Sequence, residues 1–374
     1  MAVEIIKVRC ARERREFLNF PLRLYKNEEN FVPPLYGDEK KIFSKKNVYA
    51  RVTDSEFFLA VRDGETVGRI QGIIQRQYND IHGERKARFT RFDSIDDPEV
   101  SSALFAAVEE WARGLGMTEL VGPLGYSDLE REGLLIEGFE YLATFEEQYN
   151  YPYYASLVEK AGFEKDVDWL EHRMFSFTDD REMMERVLER ALKRYNLHYA
   201  DKSLGKRAFL KKYADGMFDC IDECYKELYG TVPFTPEMRR DTLSQFSLVL
   251  DLKYIEVICD ENEEVVAFGL CLPGLGEAVR RSGGRLTPLC IMRILHAVKK
   301  PTSVDFALIG IMPKYRSTGL IVFMETVLDN ILALPSVKYL ETNLNLEDNQ
   351  AIMANWKYFD HIQHKRRRAY KKAL

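Results

Sequence analysis

One order of helix and strand patterns occurs twice along this chain, and that repetition limits the fold more than any other feature. In the first half the patterns predict a helix (12–29), a hairpin (56–75), a long strand (85–95), a helix (97–115), a strand (118–124), a helix (153–163) and a strand (167–177). In the second half they predict a hairpin (254–272), a long strand (303–313), a helix (319–334), a strand (337–346), a helix (349–359) and a strand (364–374).

Two residue pairs support a duplication. Val67 matches Val266 and Asn150 matches Asn349, and both pairs are 199 residues apart. Between these two pairs the offset of 199 residues is not kept, because each half contains its own insert. We therefore predict two similar domains, 1–177 and 178–374, with a connecting helix over 178–200.

Composition is consistent with a folded two-domain protein. The chain has 374 residues, of which 46% are hydrophobic, and its net charge is −5. These values exclude a disordered or collagen-like chain, and a negative net charge gives no general reason to expect nucleic acid as a partner. Six scattered cysteines indicate reduced thiols. The sequence shows no signal peptide and no membrane span, so we expect a cytoplasmic protein without a membrane partner.

The second long strand leads into a loop that suits an anion. The segment DFALIGIMPKYRSTGL (305–320) runs from a strand ending at Pro313 through a glycine-containing turn into a helix. Such a turn presents backbone N–H groups and the positive end of the helix dipole, for which a pyrophosphate is a natural ligand. Gly319 lets the backbone come close to that ligand, and Arg316 adds a charged donor. The alternative is an ordinary strand–turn–helix corner with a solvated arginine.

The order of elements and this motif resemble the GNAT N-acetyltransferase family. The resemblance covers about 198–374 by motif, including the Asn-x-x-Ala pattern at Asn349, and covers the first half by element order and AGF (161–163). It implies an α+β fold of two tandem GNAT-like domains, each a mixed, mainly antiparallel sheet flanked by helices. It also implies acetyl-CoA or another acyl-CoA as co-substrate and no metal. The residues expected to contact that co-substrate are Ile309, Gly310 and Ile311 along its pantetheine, Arg316, Ser317, Thr318 and Gly319 around its pyrophosphate, and Leu320 and Asn349.

Several positions depart from the family pattern. Ile321 stands where the loop usually has Gly or Ala, so it either crowds the pyrophosphate or faces the core. Trp356 replaces the tyrosine that usually protonates the leaving thiolate, and indole cannot donate that proton. Tyr358, two residues further on, is the substitute candidate. The first half has Asp93, Asp96 and Asp97 where a phosphate needs donors, so we predict a degenerate first domain without cofactor binding.

Acyl transfer to an amine also needs a base. Glu341, on the strand YLETNLN, is the best-placed carboxylate, and its alternative role is that of a solvent-facing strand residue. Asp305 is a weaker second candidate. Asn349 is better explained as a helix cap than as a substrate contact. Cys220 and Cys224, spaced i and i+4, are interpreted as buried free thiols.

These features together predict an acyl-CoA-dependent N-acyltransferase that acetylates a primary amine of a small molecule or peptide. Two alternatives stay open: a non-catalytic GNAT-like scaffold, or a transferase resembling the Fem family, which uses charged tRNA. Basic residues at 280–300 and 365–372 are either a solvated face or a polyanion contact. The insert over 122–140 is either a substrate-facing loop or a packed interdomain surface.

Overall fold

The computed structural model describes residues 2–374, which fold into helices and a mixed sheet, as the sequence predicts. The strands are β1 (Glu4–Lys7), β2 (Thr53–Arg62), β3 (Glu65–Gln75), β4 (Lys86–Ser94), β5 (Glu119–Gly122), β6 (Leu134–Glu137), β7 (Glu164–Phe177), β8 (His198–Tyr199), β9 (Ile255–Cys259), β10 (Val265–Pro273), β11 (Ser303–Ile311), β12 (Tyr339–Thr342), β13 (Asn345–Leu346) and β14 (Phe359–Ala373).

The predicted helices occur in the predicted order, together with others, both short and long, that the patterns did not predict. They are α1 (Ala11–Leu24), α2 (Tyr36–Lys41), α3 (Arg76–His82), α4 (Pro98–Gly114), α5 (Tyr154–Lys160), α6 (Arg181–Arg194), α7 (Lys206–Tyr225), α8 (Pro236–Phe246), α9 (Gly276–Arg280), α10 (Pro288–Lys299), α11 (Val322–Leu332) and α12 (Gln350–Met353). None of these helices combines the length and the apolar character that crossing a bilayer requires.

The chain forms two compact units. Unit 1 contains residues 2–170, Leu275–Ile291 and His364–Leu374; unit 2 contains Glu171–Gly274 and Met292–Gln363. These units differ from the predicted domains at the last strand of each half and at Leu275–Ile291, which belongs to unit 1. Residues 171–177 of β7 belong to unit 2, whereas most of β14 belongs to unit 1. Alternating apolar residues predict each strand, but they do not say which unit the strand joins.

Unit 1 has an antiparallel run, β1-β2-β3-β4, followed by one parallel pair. Strand β4 pairs with β5 only over Lys86–Arg88, and β14 then pairs with β5 on its other side. Helix α4 covers this sheet with buried Val100, Leu104 and Val108. A Cβ at Gly72 would lie 2.7 Å from the Trp111 ring, so this glycine lets the helix approach the sheet.

Unit 2 repeats the arrangement. Strands β8-β9-β10-β11 are antiparallel, β12 is parallel to β11, and the second part of β7 pairs with β12, with Leu340 opposite Met174. Its core contains apolar residues from α11, including Phe323, Leu328 and Ile331. Burial of this face is what stabilises α11.

A pair of equivalent hydrogen bonds supports the duplication. The carbonyl of Val67 accepts a bond from the N–H of Ile95 at 3.1 Å, and the carbonyl of Val266 accepts one from Met312 at 2.9 Å. Each bond joins the second hairpin strand to the residue that follows the long strand. The other matched pair has diverged: Asn349 caps α12, whereas Asn150 binds the backbone of Leu135.

The helix predicted over 349–359 is wrong in length. Helix α12 has four residues and is followed by a single 3-10 turn over Trp356–Tyr358. The side chain of Asn355 donates to the carbonyl of Ala351 at 2.8 Å, which satisfies a helix carbonyl and ends the helix. Strand β14 then begins at Phe359, five residues before the predicted start.

Candidate functional site

Strands β11 and β12 run together for only part of their length. They pair over Ser303–Phe306 and Tyr339–Thr342, after which the N–H of Asn343 donates to the carbonyl of Phe306. Strand β11 continues to Ile311 beside β10 alone. Among the described residues, no strand therefore pairs with the edge of β11 from Ile309 to Ile311 on the β12 side, and this is the edge predicted to bind pantetheine.

Helix α7 fills this edge with side chains. The hydroxyl of Tyr225 donates to the carbonyl of Ile309 at 2.8 Å and accepts from the N–H of the same residue at 3.2 Å. The thiol of Cys224 donates to the carbonyl of Ile311 at 3.2 Å. The predicted pantetheine contacts are thus already made by the protein, so a ligand on this edge has to displace Tyr225.

The loop from Met312 to Ile321 connects this edge to α11. Helix α11 has no side-chain cap, and the N–H groups of Ser317, Gly319 and Ile321 donate no hydrogen bond within the described chain. Gly319 has a φ of +85°, a conformation that favours glycine. The unused N–H groups lie in the loop before α11, because those of the first three helix residues, 322–324, donate to the carbonyls of 319–321. Unused N–H groups in a loop that leads into a helix can bind an anion.

The other predicted loop residues divide into exposed and buried positions. Arg316 and Ser317 are exposed, and Arg316 Nε donates to the carbonyl of Ile311 at 3.2 Å. Thr318 donates to the carbonyl of Tyr315, and Leu320 is buried in the core of unit 2. Ile321 also packs against that core, which is the second of the two positions expected for it.

The corresponding helix start in unit 1 is filled by a carboxylate. The side chain of Asp97 accepts from the N–H of Glu99 at 2.8 Å, and Arg62 pairs with both Asp97 (2.7 Å) and Glu99 (3.0 Å). Asp93 lies elsewhere, in a buried pair with Arg69 at 2.7 Å. The start of α4 is therefore capped by a side chain, whereas the loop before α11 keeps unused N–H groups.

A pair of thiols lies beside Arg316. The sulfurs of Cys220 and Cys224 are 3.8 Å apart; Cys220 is buried and Cys224 is half-buried. The hydrogen bond from Cys220 lowers the pKa of Cys224, and Arg316 lowers it further. The i, i+4 spacing predicted that the two thiols share a helix face, but no sequence signal brought Arg316 to them. Cys224 is consequently the more reactive thiol of the pair.

Glu341, the predicted base, lies in an ion pair. Its carboxylate is buried and lies 2.5 Å from the guanidinium of Arg173, its partner across β12 and β7. Arg173 also lies over the ring of Tyr339, at 4.3 Å. Asp305 is opposite Glu341 on β11 and is buried as well. The strand face that carries Glu341 is thus interior, and the solvent-facing alternative is wrong.

The predicted proton donor and its neighbours form part of the core. Tyr358 packs against the core of unit 2, and its carbonyl accepts from the N–H of Thr178. Trp356 is buried and donates to Asn345 at 3.0 Å. The side chain of Asn349 accepts from the N–H of Ile352, which is the helix cap expected for it.

Several of the predicted basic residues are paired within unit 1. Near the chain end the pairs are Arg366 and Arg368 with Asp168, Lys371 with Asp166, and Lys372 with Glu109. In the second-half insert, Arg280 pairs with Glu277, and Arg285 lies over the ring of Tyr36. These six residues therefore have partners within the protein, whereas Lys299 and Lys300 of the same insert are exposed, as the solvated-face alternative expects.

Sequence reasoning missed the density of buried charge in unit 1. The insert after β5 places Glu132 in the interior at 3% exposure, together with Arg367 from β14 and Glu147. Strand and helix periodicity carry no signal for this, because Glu132 and Glu147 lie in irregular segments and a strand pattern does not show that Arg367 is buried with them. Within residues 2–374, no group of three or more His, Cys, Asp or Glu side chains is arranged to hold a metal ion.

Comparison with known proteins agrees with the fold. No family model matches the chain. Protein YghO of Escherichia coli is 24% identical over 96% of this chain and 93% of its own length. A protein of Caulobacter vibrioides named bacterial ceramide synthase is 27% identical over 100% of this chain and 98% of its own length.

One solved structure has an architecture similar to that of this chain. A tandem GNAT protein from the clavulanic acid biosynthesis pathway, without AcCoA, superposes with a TM-score of 0.55 at 13% identity, covering 99% of this chain and 98% of its own. The chain therefore has a tandem GNAT-like fold, as its two copies of one element order predict.

Proposed function

We propose that this protein is an N-acyltransferase that uses an acyl-CoA as its acyl donor, bound by unit 2. The observation that carries the proposal is the loop before α11, where the N–H groups of Ser317, Gly319 and Ile321 have no acceptor within the described chain and Arg316 is exposed. A pyrophosphate supplies the acceptors and the negative charge that this loop lacks. The start of α4 offers no such set, so one cofactor site is proposed for the chain.

The chemistry needs an amine that attacks the thioester carbonyl. The C–N bond forms, the C–S bond breaks, and the thiolate of CoA leaves and takes up a proton. Glu341 is kept as the proposed base and Tyr358 as the proposed proton donor. For Glu341 to accept a proton its ion pair with Arg173 has to open, because a carboxylate held by a guanidinium is a weak base.

The similarity to the Caulobacter protein suggests which acceptor to test first. A ceramide is the amide of a fatty acid with a long-chain amino alcohol, so that protein's name describes N-acyl transfer. We propose a primary amine as the acceptor of this chain too, and place a long-chain amino alcohol beside short amines in the first screen. Acetyl-CoA and a long-chain acyl-CoA are both tested as donors.

The experiment follows the release of CoA thiol with a disulfide reagent, and the amide product by mass spectrometry. Wild type is expected to form amide from at least one donor and amine pair. Arg316→Gln is expected to raise the KM for the acyl-CoA about 10-fold or more, since charge-assisted hydrogen bonds contribute about 1.5–3 kcal/mol. Lys314→Gln is the control, because Lys314 is exposed in the same loop and lies over the Tyr315 ring.

A non-catalytic scaffold is the second candidate, favoured by the bonds between Tyr225 and Ile309. If the edge of β11 stays closed, the protein neither binds acyl-CoA nor forms an amide. The same assay separates the two proposals, because the scaffold gives no product with any pair and no response to Arg316→Gln.

A further inference from the structure

Helix α10 exposes aliphatic side chains on the face opposite the one that it buries. Its buried residues, Cys290, Ile294 and Val298, follow one another at i, i+4 and i+8. Both ends of the helix are held: Thr287 Oγ1 accepts from the N–H of Cys290 at 3.2 Å, and the carbonyl of Val298 accepts from Lys253 Nζ at 2.8 Å. The helix is thus stabilised through its inner face, and its outward residues are not part of the core.

The outward side chains form an apolar row. Leu289, Met292 and Leu295, here called the outward row, are spaced three residues apart and so share one helix face, and Leu286 precedes them at the same spacing. These four side chains are 42% to 60% exposed, and no other ten consecutive residues within 2–374 expose more than two large apolar side chains. Single exposed apolar residues are normal, whereas a cluster of them indicates a binding surface.

The sequence around the outward row carries charge of one sign. The segment 278–304 contains six Lys and Arg residues and no Asp or Glu. Three of the six have partners within the protein, because those at positions 280 and 281 pair with Glu277 and the one at 285 lies over the Tyr36 ring. The other three are available to a binding partner.

These three residues are Arg293, Lys299 and Lys300. No ion pair or hydrogen bond occupies their side chains within the part of the chain that the structure describes, and both lysines are exposed. The segment that contacts the end of α10 contributes Asp251 and Lys253, which together add no net charge. The outward row is therefore flanked by three positive charges without a partner.

The surface of an anionic bilayer matches both properties. Aliphatic side chains enter the boundary between headgroups and acyl chains, while Lys and Arg stay at the headgroups and are attracted to anionic lipids. A nucleic-acid backbone would pair with the charges but leave the outward row in water. A second copy of the chain would bring the same positive charges together, which is unfavourable.

We propose that α10 binds the surface of a membrane that contains anionic phospholipid, with the outward row inserted and Arg293, Lys299 and Lys300 at the headgroups. The helix then lies in the plane of the surface and does not cross the bilayer. The sequence predicted no membrane partner, and this proposal adds a peripheral one. It rests on the exposed residues of α10 and does not depend on the proposed function.

The test is flotation of the full chain with vesicles in a density gradient, without acyl-CoA or amine. Equal parts of phosphatidylglycerol and phosphatidylcholine provide the anionic surface, and phosphatidylcholine alone provides the neutral one. Wild type is expected to bind the anionic vesicles about 10-fold or more tightly than the neutral ones. This binding should weaken when the salt concentration rises from about 0.1 M to about 1 M, because the Debye length falls from about 10 Å to about 3 Å.

Met292→Glu places a carboxylate in the middle of the outward row, and we expect it to weaken binding to anionic vesicles about 10-fold or more. Met183→Glu is the matched control, because Met183 is an exposed methionine of another helix, α6. It is expected to bind like wild type. If circular dichroism shows that Met292→Glu does not fold, Leu295→Glu replaces it with the same expected loss.

The charges are tested by changing Lys299 and Lys300 together to Gln, which should weaken binding about 5-fold or more. The matched control changes Lys45 and Lys46, two adjacent exposed lysines, to Gln and should leave binding unchanged.

No binding of wild type to anionic vesicles, or equal binding by wild type and the folded variant of the outward row, would overturn the proposal. A lipid-free dimer, detected by sedimentation, that Met292→Glu dissociates would also overturn it, because the outward row would then belong to an interface between two copies.

Discussion

Tyr225 holds Ile309 through both backbone groups of that residue, donating to its carbonyl at 2.8 Å and accepting from its N–H at 3.2 Å. A phenol thus occupies the two positions on β11 that the sequence assigned to a pantetheine. Ligand binding on this edge is therefore a competition between Tyr225 and the acyl-CoA. The free energy needed to displace the Tyr225 side chain therefore weakens acyl-CoA binding by the same amount.

Removing the Tyr225 hydroxyl is expected to strengthen acyl-CoA binding. Tyr225→Phe keeps the ring and frees both groups of Ile309, and a neutral hydrogen bond contributes about 0.5–1.5 kcal/mol. We therefore predict a Kd for acyl-CoA that is about 3- to 10-fold lower, measured by calorimetry. Tyr199→Phe, at an exposed tyrosine of β8, is the control and should leave the Kd unchanged. Weaker binding by Tyr225→Phe would mean that the hydroxyl contacts the ligand.

The thiol of Cys224 is expected to react faster than an ordinary cysteine. Its lowered pKa means that more thiolate is present near neutral pH, and the thiolate is the nucleophile. Iodoacetamide labelling at pH 6.5, located by peptide mass spectrometry, should modify Cys224 before the buried Cys220. Arg316→Gln should slow this labelling, because it removes a charge that favours the thiolate, whereas Lys314→Gln should not. Equal rates in all three proteins would refute the role given to Arg316.

Glu325 of α11 makes the stability depend on pH. This carboxyl is buried, and burial raises its pKa to about 7 from an ordinary value of 4.5. The folded state therefore binds the proton more tightly than the unfolded state, so stability falls as pH rises from 4.5 to 7 and levels off above that.

Glu325→Gln should remove this dependence. Relative to wild type, we predict that the free energy of unfolding of this variant, measured with urea, is about 3 kcal/mol higher at pH 8 and little changed at pH 4.5. Glu110→Gln, at an exposed position of α4, should change neither value. A variant that is less stable than wild type at pH 8 would contradict the assignment.

Glu341→Gln should destabilise unit 2. It leaves the guanidinium of Arg173 without its carboxylate, and breaking a buried ion pair from one side costs about 3–5 kcal/mol. Asp360→Asn, at an exposed position of β14, is the control for urea unfolding. Turnover is then compared in samples shown to be folded by circular dichroism. Abolished turnover would assign the base to Glu341, and unchanged turnover would assign Glu341 to structure alone.

The sequence was informative where one residue type at one position decides the local structure. Asp97-Pro98 started α4, Gly319 took a positive φ, and Asn349 capped α12. The repeated order of elements then predicted the tandem fold. Exchange of the last strands between units could not be predicted, because the apolar alternation of β7 and β14 suits either sheet.

The contacts within the candidate sites depend on partners distant in sequence. Tyr225 is 84 residues from Ile309, and Arg173 is 168 residues from Glu341. Neither pair has a local pattern, so the sequence could place Glu341 on a strand without showing its ion pair. The buried carboxyl of Glu132 was hidden for the same reason, since its surroundings come from several irregular segments.

The most direct test of the account is a calorimetric titration of acetyl-CoA and of CoA into wild type, Arg316→Gln and Lys314→Gln. Arg316→Gln is preferred to a change at Gly319, whose positive φ would strain any other residue. We predict micromolar binding by wild type and Lys314→Gln, and binding at least 10-fold weaker by Arg316→Gln. No binding by wild type at millimolar ligand, or identical binding by all three proteins, would contradict an acyl-CoA site at the start of α11.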